Sequence, residues 1–160
     1  MVHNVYLITG SNLGNSLSNL LHVKKLIREQ LGEIIHESSV YKTAPWGNLN
    51  QQDFLNQALH IQTSISPQAL MREILIIESS MGRKRIEKWE PRIIDVDILF
   101  YDTLVLDIPD LVIPHPLLHE RRFVLAPLFD IAPNFIHPQL NKSVSELLDS
   151  CNDMSKVDKL

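Results

Sequence analysis

The spacing of apolar positions changes several times along this chain, and each change marks an element. Residues 2–9 (VHNVYLIT) are β-branched and aromatic and stop at Gly10 and Ser11, which predicts a first strand. Over 16–31, Leu17, Leu20, Leu21, Leu26, Ile27 and Leu31 recur near a helical spacing, with Gly32 beyond as a stop. Strand composition returns at 33–42 (EIIHESSVYK), and a loop carrying Pro45 and Gly47 follows over 43–53. Residues 54–63 (FLNQALHIQT) predict another strand, with Phe54, Asn56, Ala58, His60 and Gln62 on one face. Ser66 and Pro67 form an N-cap and first-turn pair. They open a second helix over 67–80, lined by Leu70, Ile74 and Ile77. A charged loop, 82–92, leads into the last core strand, 93–101 (IIDVDILFY).

Strand, helix, strand, strand, helix, strand is the split βαβ order. It predicts an α+β fold with a ferredoxin-like βαββαβ core, an antiparallel sheet with its helices on one face. The tail adds Pro-rich turns at 109–116, a helical stretch near 119–130 and a final helix from Ser143 to Leu148, a C-terminal helical extension. With 160 residues, no repeat and no linker composition, one domain over 1–160 is expected.

Composition narrows the function classes. Apolar residues make up 44% and charged residues 21%, which excludes a disordered tail protein or a coiled coil. Fifteen Lys and Arg stand against 19 Asp and Glu, a net charge of −4, opposite in sign to a protein built to grip nucleic acid. The N-terminus MVHNVYLITG lacks the basic region of a signal peptide, and no run approaches the ~18 apolar residues of a membrane helix. A single cysteine, Cys151, fits a reducing compartment. The expectation is a cytoplasmic, monomeric protein with no nucleic-acid or membrane partner.

Asp95 and Asp97 are the sharpest chemical signal. On a strand they share a face while Val96 and Ile98 turn the other way. Two adjacent carboxylates in an apolar strand repel unless a cation lies between them, and Mg²⁺ takes one or two carboxylates together with phosphate oxygens. The alternative is a half-exposed strand with a solvated acidic edge. The preceding loop favours the cation. Between 83 and 92 lie Arg83, Lys84, Arg85, Lys88 and Arg92 against Glu87 and Glu90, a local excess of +3. Metal carboxylates beside an arginine-rich loop suit phosphoryl-type transfer, where catalysis is mostly positioning and charge neutralisation. GSNLG (10–14) is neither a Walker motif nor a dinucleotide fingerprint, and a tight strand-to-helix turn explains it equally well. His115 and His119 are four apart but have no third ligand nearby for zinc. Phe54 and Phe123 suit either core packing or stacking on a flat ring.

GSNLG, YKTAPWG (41–47), FLNQA (54–58), GRKR…KWEPRIIDVDIL (82–99) and IPHPLLHERRFVLAPL (113–128) together resemble the bacterial folate-pathway family of 6-hydroxymethyl-7,8-dihydropterin pyrophosphokinases. The resemblance runs from Gly10 to Leu128 in order. It implies transfer of a diphosphoryl group from ATP to the pterin hydroxymethyl oxygen, with release of AMP. Asp95 and Asp97 match carboxylates that hold two Mg²⁺ ions, and Arg83 and Arg92 match loop arginines beside the transferring group. Arg85 and Trp89 match residues that help close that loop over ATP, and Glu78, His115 and Arg121 match others around ATP. Ile98, Leu111 and Val112 fall where the adenine pocket lies. Asn56 matches a pterin-reading side chain, Thr43, Pro45 and Trp46 flank the pterin, and Phe54 and Phe123 match the aromatic pair that sandwiches its ring. Lys88, Glu90, Leu75 and Pro116 depart from residues common in relatives. Two rival readings on the same fold lack such support. An RNA-binding module would carry its aromatic signature, and a small-molecule sensor has little use for paired aspartates.

Overall fold

The computed structural model describes residues 1–45, 50–83 and 91–160. The expected core is present. β1 (His3–Ser11), α1 (Ser16–Gln30), β2 (Glu33–Glu37), β3 (Tyr41–Thr43), β4 (Phe54–Thr63), α2 (Pro67–Ser80) and β5 (Asp95–Tyr101) follow in the split βαβ order. After β5 come β6 (Leu106–Ile108), β7 (Leu111–Ile113), a 3-10 turn (Leu118–Glu120), α3 (Arg122–Ile131), α4 (Val144–Asp149) and β8 (Val157–Lys159). The main sheet runs β5-β1-β4-β3-β8, with β2 also on β4, and its pairings are antiparallel.

Period-two alternation gives the sheet two apolar faces, and each is covered. On the first, Val5, Leu7, Leu59, Ile61, Val96 and Ile98 pack against Leu20, Val23 and Ile27 of α1 and Leu70, Ile74 and Ile77 of α2. On the second, Ile8, Ala58, Leu99 and Phe100 pack against Val124, Leu125 and Leu128 of α3 and Val144 and Leu147 of α4. The C-terminal extension is therefore a third layer, laid on the face that α1 and α2 leave open. Ser143 opens α4 with a capping box, donating its N–H to Glu146 and accepting the Glu146 N–H on its hydroxyl.

Several boundaries differ from expectation. In α1 the buried stripe is Leu20, Val23, Lys24 and Ile27, whereas Leu17 and Leu21 are about half exposed. Lys24 takes a stripe position because its stem can lie buried while its ammonium reaches Glu37 at 3.3 Å. The expected strand 33–42 is split. At the break, Ser38 substitutes its hydroxyl for a ladder carbonyl, accepting the Ala58 N–H at 2.9 Å while its own N–H donates to Ala58 O at 2.9 Å. Residues 106–113, expected as turns from 109 onward, contain a β6-β7 hairpin. β5 starts at Asp95 rather than 93, with Ile94 wholly buried just before it. The β1–β5 register shifts between Tyr6 and Leu7, leaving Leu99 as an extra residue, a bulge. β8 was not expected from composition. Among the described residues no helix is long and apolar enough to cross a membrane.

Candidate active site

The interior strand β1, between β5 and β4, sets the floor of the site. Gly10 pairs with Asn56 of β4 on one side and Asp95 of β5 on the other. A Cβ at Gly10 would stand 2.5 Å from the Asn56 side-chain oxygen, so only glycine leaves room for that amide. The first glycine of GSNLG thus lies inside β1, which runs on to Ser11, and shapes the floor rather than ending the strand. Above it opens a cavity of about 400 Å³ lined by Thr43, Phe54, Asn56, Arg92, Asp95, Asp97, His115, Arg121 and Phe123, among others. Because β5 alternates, its two aspartates face this cavity while Val96 and Ile98 join the opposite core. The Leu99 bulge adds a wall. Its carbonyl accepts the His115 N–H at 3.0 Å, anchoring the chain that brings His115 into the cavity.

Charge is concentrated on one side. Asp95 accepts from Arg83 Nη1 at 2.9 Å on Oδ1 and from Arg92 Nη1 at 3.0 Å on Oδ2. Arg83 also reaches Glu78 Oε2 at 2.8 Å, and that buried carboxylate accepts the Val96 N–H at 2.7 Å. Burial, then the charges of Asp95 and Glu78, push Asp97 up to about 7, with Arg121 and Arg83 pulling the other way. His115 is pushed down to about 4 by burial and by Arg121, against the opposing pull of Asp95. It is neutral at pH 7, and its Nδ1 accepts the Leu117 N–H at 3.2 Å. A carboxylate held that high beside a second one is a place where positive charge would be stabilised.

Asn12 is the residue that sequence reasoning missed. It is 1% exposed. Its Oδ1 accepts the Arg92 N–H and its own N–H donates to Arg92 O. Its Nδ2 donates to Gln51 Oε1 and to Gln52 O, so one amide holds segments from both loops beside the cavity. The Gln52 side chain adds bonds to Gly14 O at 3.1 Å and Ser16 Oγ at 3.0 Å. GSNLG carried the signal, but only as a turn.

Other expected site residues lie outside the cavity lining. Arg83 and Glu78 stand behind Asp95 in the ion-pair chain. Ile98 and Leu111 belong to the core on the α1–α2 face, and Val112 is 38% exposed on the β6-β7 hairpin. Pro45 is buried just past β3. Trp46, Arg85 and Trp89, with Lys84, Lys88 and Glu90, lie outside the described residues. His119 is not part of the cavity lining and packs edge-on to His137, 6.5 Å between centroids. Among the described residues no three His, Cys, Asp or Glu side chains gather as a metal cage.

Comparison with known proteins decides the family. A family model described as 7,8-dihydro-6-hydroxymethylpterin-pyrophosphokinase (HPPK) matches residues 6–133. The chain belongs to the HPPK family. Relatives include the 2-amino-4-hydroxy-6-hydroxymethyldihydropteridine pyrophosphokinase of Aquifex aeolicus, 44% identical over 142 residues that cover 89% of this chain and 88% of that protein. The folic acid synthesis protein FOL1 of Dictyostelium discoideum is 43% identical over 143 residues, but this chain spans only 22% of its length. Among solved structures, wild-type Plasmodium falciparum HPPK-DHPS with pteroate superposes with a TM-score of 0.78 at 18% identity, covering 93% of this chain and 42% of that one. That likeness is one of fold, and it agrees with the ferredoxin-like HPPK core. The HPPK match ends before α4 and β8.

Proposed function

We propose that the chain transfers the diphosphoryl group of ATP to the hydroxymethyl group of 6-hydroxymethyl-7,8-dihydropterin and releases AMP, in folate synthesis. The observation that carries this reading is one cavity whose lining brings two carboxylates and Arg92 together with Phe54, Asn56 and Phe123. A flat heterocycle lying between the two phenyl rings, its polar edge on the Asn56 amide, would present its hydroxymethyl group toward the carboxylates. Asp95 and Asp97 are suited by donor type and by mutual repulsion to hold Mg²⁺, which when bound offsets charge on the phosphates and lowers the pKa of a coordinated hydroxyl. Arg83 and Arg92 neutralise Asp95 without ligands and have the fork geometry to move onto phosphate oxygens when ATP arrives. In the reaction the hydroxymethyl oxygen bonds to the β-phosphorus as the bond to the bridging oxygen breaks. AMP leaves with that electron pair, and the hydroxyl proton passes to water. His115, neutral, and Arg121 line the same cavity beside the nucleotide's path. The reading takes the protein as a cytoplasmic monomer whose partners are two small molecules.

The test is an assay with ATP, Mg²⁺ and 6-hydroxymethyl-7,8-dihydropterin. AMP and pterin diphosphate should appear together in equal amounts. Release of ADP, or no turnover by folded protein, would overturn the reading.

A further inference from the structure

Residues 153–160 follow α4 and lie beyond the matched family region, yet they touch both walls of the cavity. One wall is the first turn of α3, which carries Phe123 and Val124 just after Arg121. Arg121, the residue at the N-cap of α3, makes no side-chain capping bond. The cap comes from the tail instead, since Asp153 Oδ2 accepts the Arg122 N–H at 3.0 Å. Asp153 is itself oriented by Ser155, whose N–H donates to Oδ1 at 2.9 Å and whose hydroxyl donates to the same oxygen.

The other wall is β3 with the start of β4, where Thr43 pairs with Phe54. β8 lies along β3 with Tyr41 opposite Lys159 and Thr43 opposite Val157, and the Leu160 N–H donates to Val40 O at 2.9 Å. The far end of α3 is drawn to the same strand, because Tyr41 donates to Asp130 Oδ1 at 2.7 Å and Lys159 stands 3.6 Å from that oxygen. One short segment therefore ties the helix that bears Phe123 to the strands that bear Thr43 and Phe54, in addition to the core packing of Val124, Leu125 and Leu128 on the sheet.

We propose that the segment Asp153–Leu160 is a brace that sets the width of the slot between Phe54 and Phe123, with Asp153 as a positioning residue for the flat ring bound there. The inference rests on the pterin reading above. Stacking on both faces of a ring needs a slot of fixed width, because a gap of about an ångström already forfeits up to about half of the dispersion attraction. The brace acts on Phe123 through the capped turn. Arg121 is also held from the preceding side by its own N–H on Leu118 O, and Asp95, Arg83 and Arg92 hang from β5 and its approach. Loosening the tail should therefore be felt by the ring far more than by the nucleotide.

The test measures binding of 6-hydroxymethylpterin by its fluorescence, and of a non-hydrolysable ATP analogue with Mg²⁺, to full-length wild type, Asp153→Ala and Asp153→Asn. Loss of one cap should weaken pterin binding to Asp153→Ala about five- to tenfold, with the nucleotide changing by less than about twofold. Asp153→Asn keeps an acceptor for the Arg122 N–H and should recover most of the loss. If Asp153→Ala binds pterin like wild type, weakens both ligands equally, or fails to fold, the brace is refuted and Asp153 serves the general fold or nothing. Wild type that binds no pterin removes the reading itself, and the brace with it.

Discussion

Asn12 and Arg92 are joined by two hydrogen bonds, the Arg92 N–H to Asn12 Oδ1 at 2.8 Å and the Asn12 N–H to Arg92 O at 3.0 Å. The turn after β1 thereby fixes the backbone from which the Arg92 guanidinium reaches Asp95. Asn12→Ala strands the Arg92 N–H and removes the side-chain bonds to Gln51 Oε1 and Gln52 O, at a cost of about 1–3 kcal/mol. The expected result is a lower turnover number and a lower melting temperature in a folded protein. Thermal melts and steady-state kinetics on one preparation check it, and unchanged turnover would make the clamp a matter of stability alone.

Asp95→Ala and Asp97→Ala should each lower turnover by about 10²–10³-fold or more, since each removes part of the charge clamp on the phosphates. Both proteins should stay folded, because neither side chain belongs to an apolar core. Circular dichroism and AMP release measured together decide it. Near wild-type AMP release from both folded variants would sink the metal assignment.

Arg92→Ala should reduce turnover more than it weakens ATP binding, if the guanidinium acts chiefly on the transferring group. Isothermal calorimetry with an ATP analogue, beside single-turnover rates, separates the two effects. Weaker binding at an unchanged rate would make Arg92 a ground-state anchor.

Phe54→Ala and Phe123→Ala should weaken pterin binding by about 1–3 kcal/mol each, by analogy with aromatic–base stacking, and leave ATP binding nearly unchanged. Phe123 also lies 5.6 Å under the Arg121 guanidinium, so its loss should move the nucleotide slightly more than loss of Phe54. Calorimetry showing both ligands weakened equally would assign the rings to core packing.

Acid should destabilise the fold through His60. Burial, then the nearby His36 ring, lower its pKa below the usual histidine value. It stacks on Tyr6 at 4.7 Å, with its Nδ1 3.1 Å from His36 Nδ1 and its Nε2 2.9 Å from Asn4 Oδ1. A histidine depressed in the folded state binds its proton first in the unfolded chain. Its contribution is therefore complete above about pH 6.5 and is lost as pH falls toward the lower folded value. His60→Phe should flatten melting temperature against pH below about 6.5. An unchanged slope would place the acid sensitivity elsewhere.

Where local pattern dictates structure, the sequence was legible. Alternation put Asp95 with Asp97, and Phe54 with Asn56, on the face that became the cavity, and helical spacing placed Leu70, Ile74 and Ile77 in the core. Elements set by distant partners were hidden. β8 reads V-D-K and is a strand because β3 offers it an edge. The split after β2 depends on the Ser38 hydroxyl meeting Ala58 across the sheet. Leu17 and Leu21 fit a helical stripe as well as Val23 and Lys24 do, and only the position of the sheet under α1 selects between them. Asn12 in a glycine turn looked like punctuation, because its partners Arg92 and Gln51 are remote in sequence.

The extra residue at Leu99 divides β5 into two independently phased halves. Without it, Phe100 would turn toward α2 and Tyr101 into the layer beneath α3. With it, the outer half is free to follow the packing of Phe100 while the inner half keeps its own parity. A one-residue insertion or deletion beyond Leu99 can then be absorbed by slippage at the bulge. The same change between Asp95 and Asp97 would put the two carboxylates on opposite faces of the sheet. Length variation should be tolerated on one side of this residue and lethal to activity on the other.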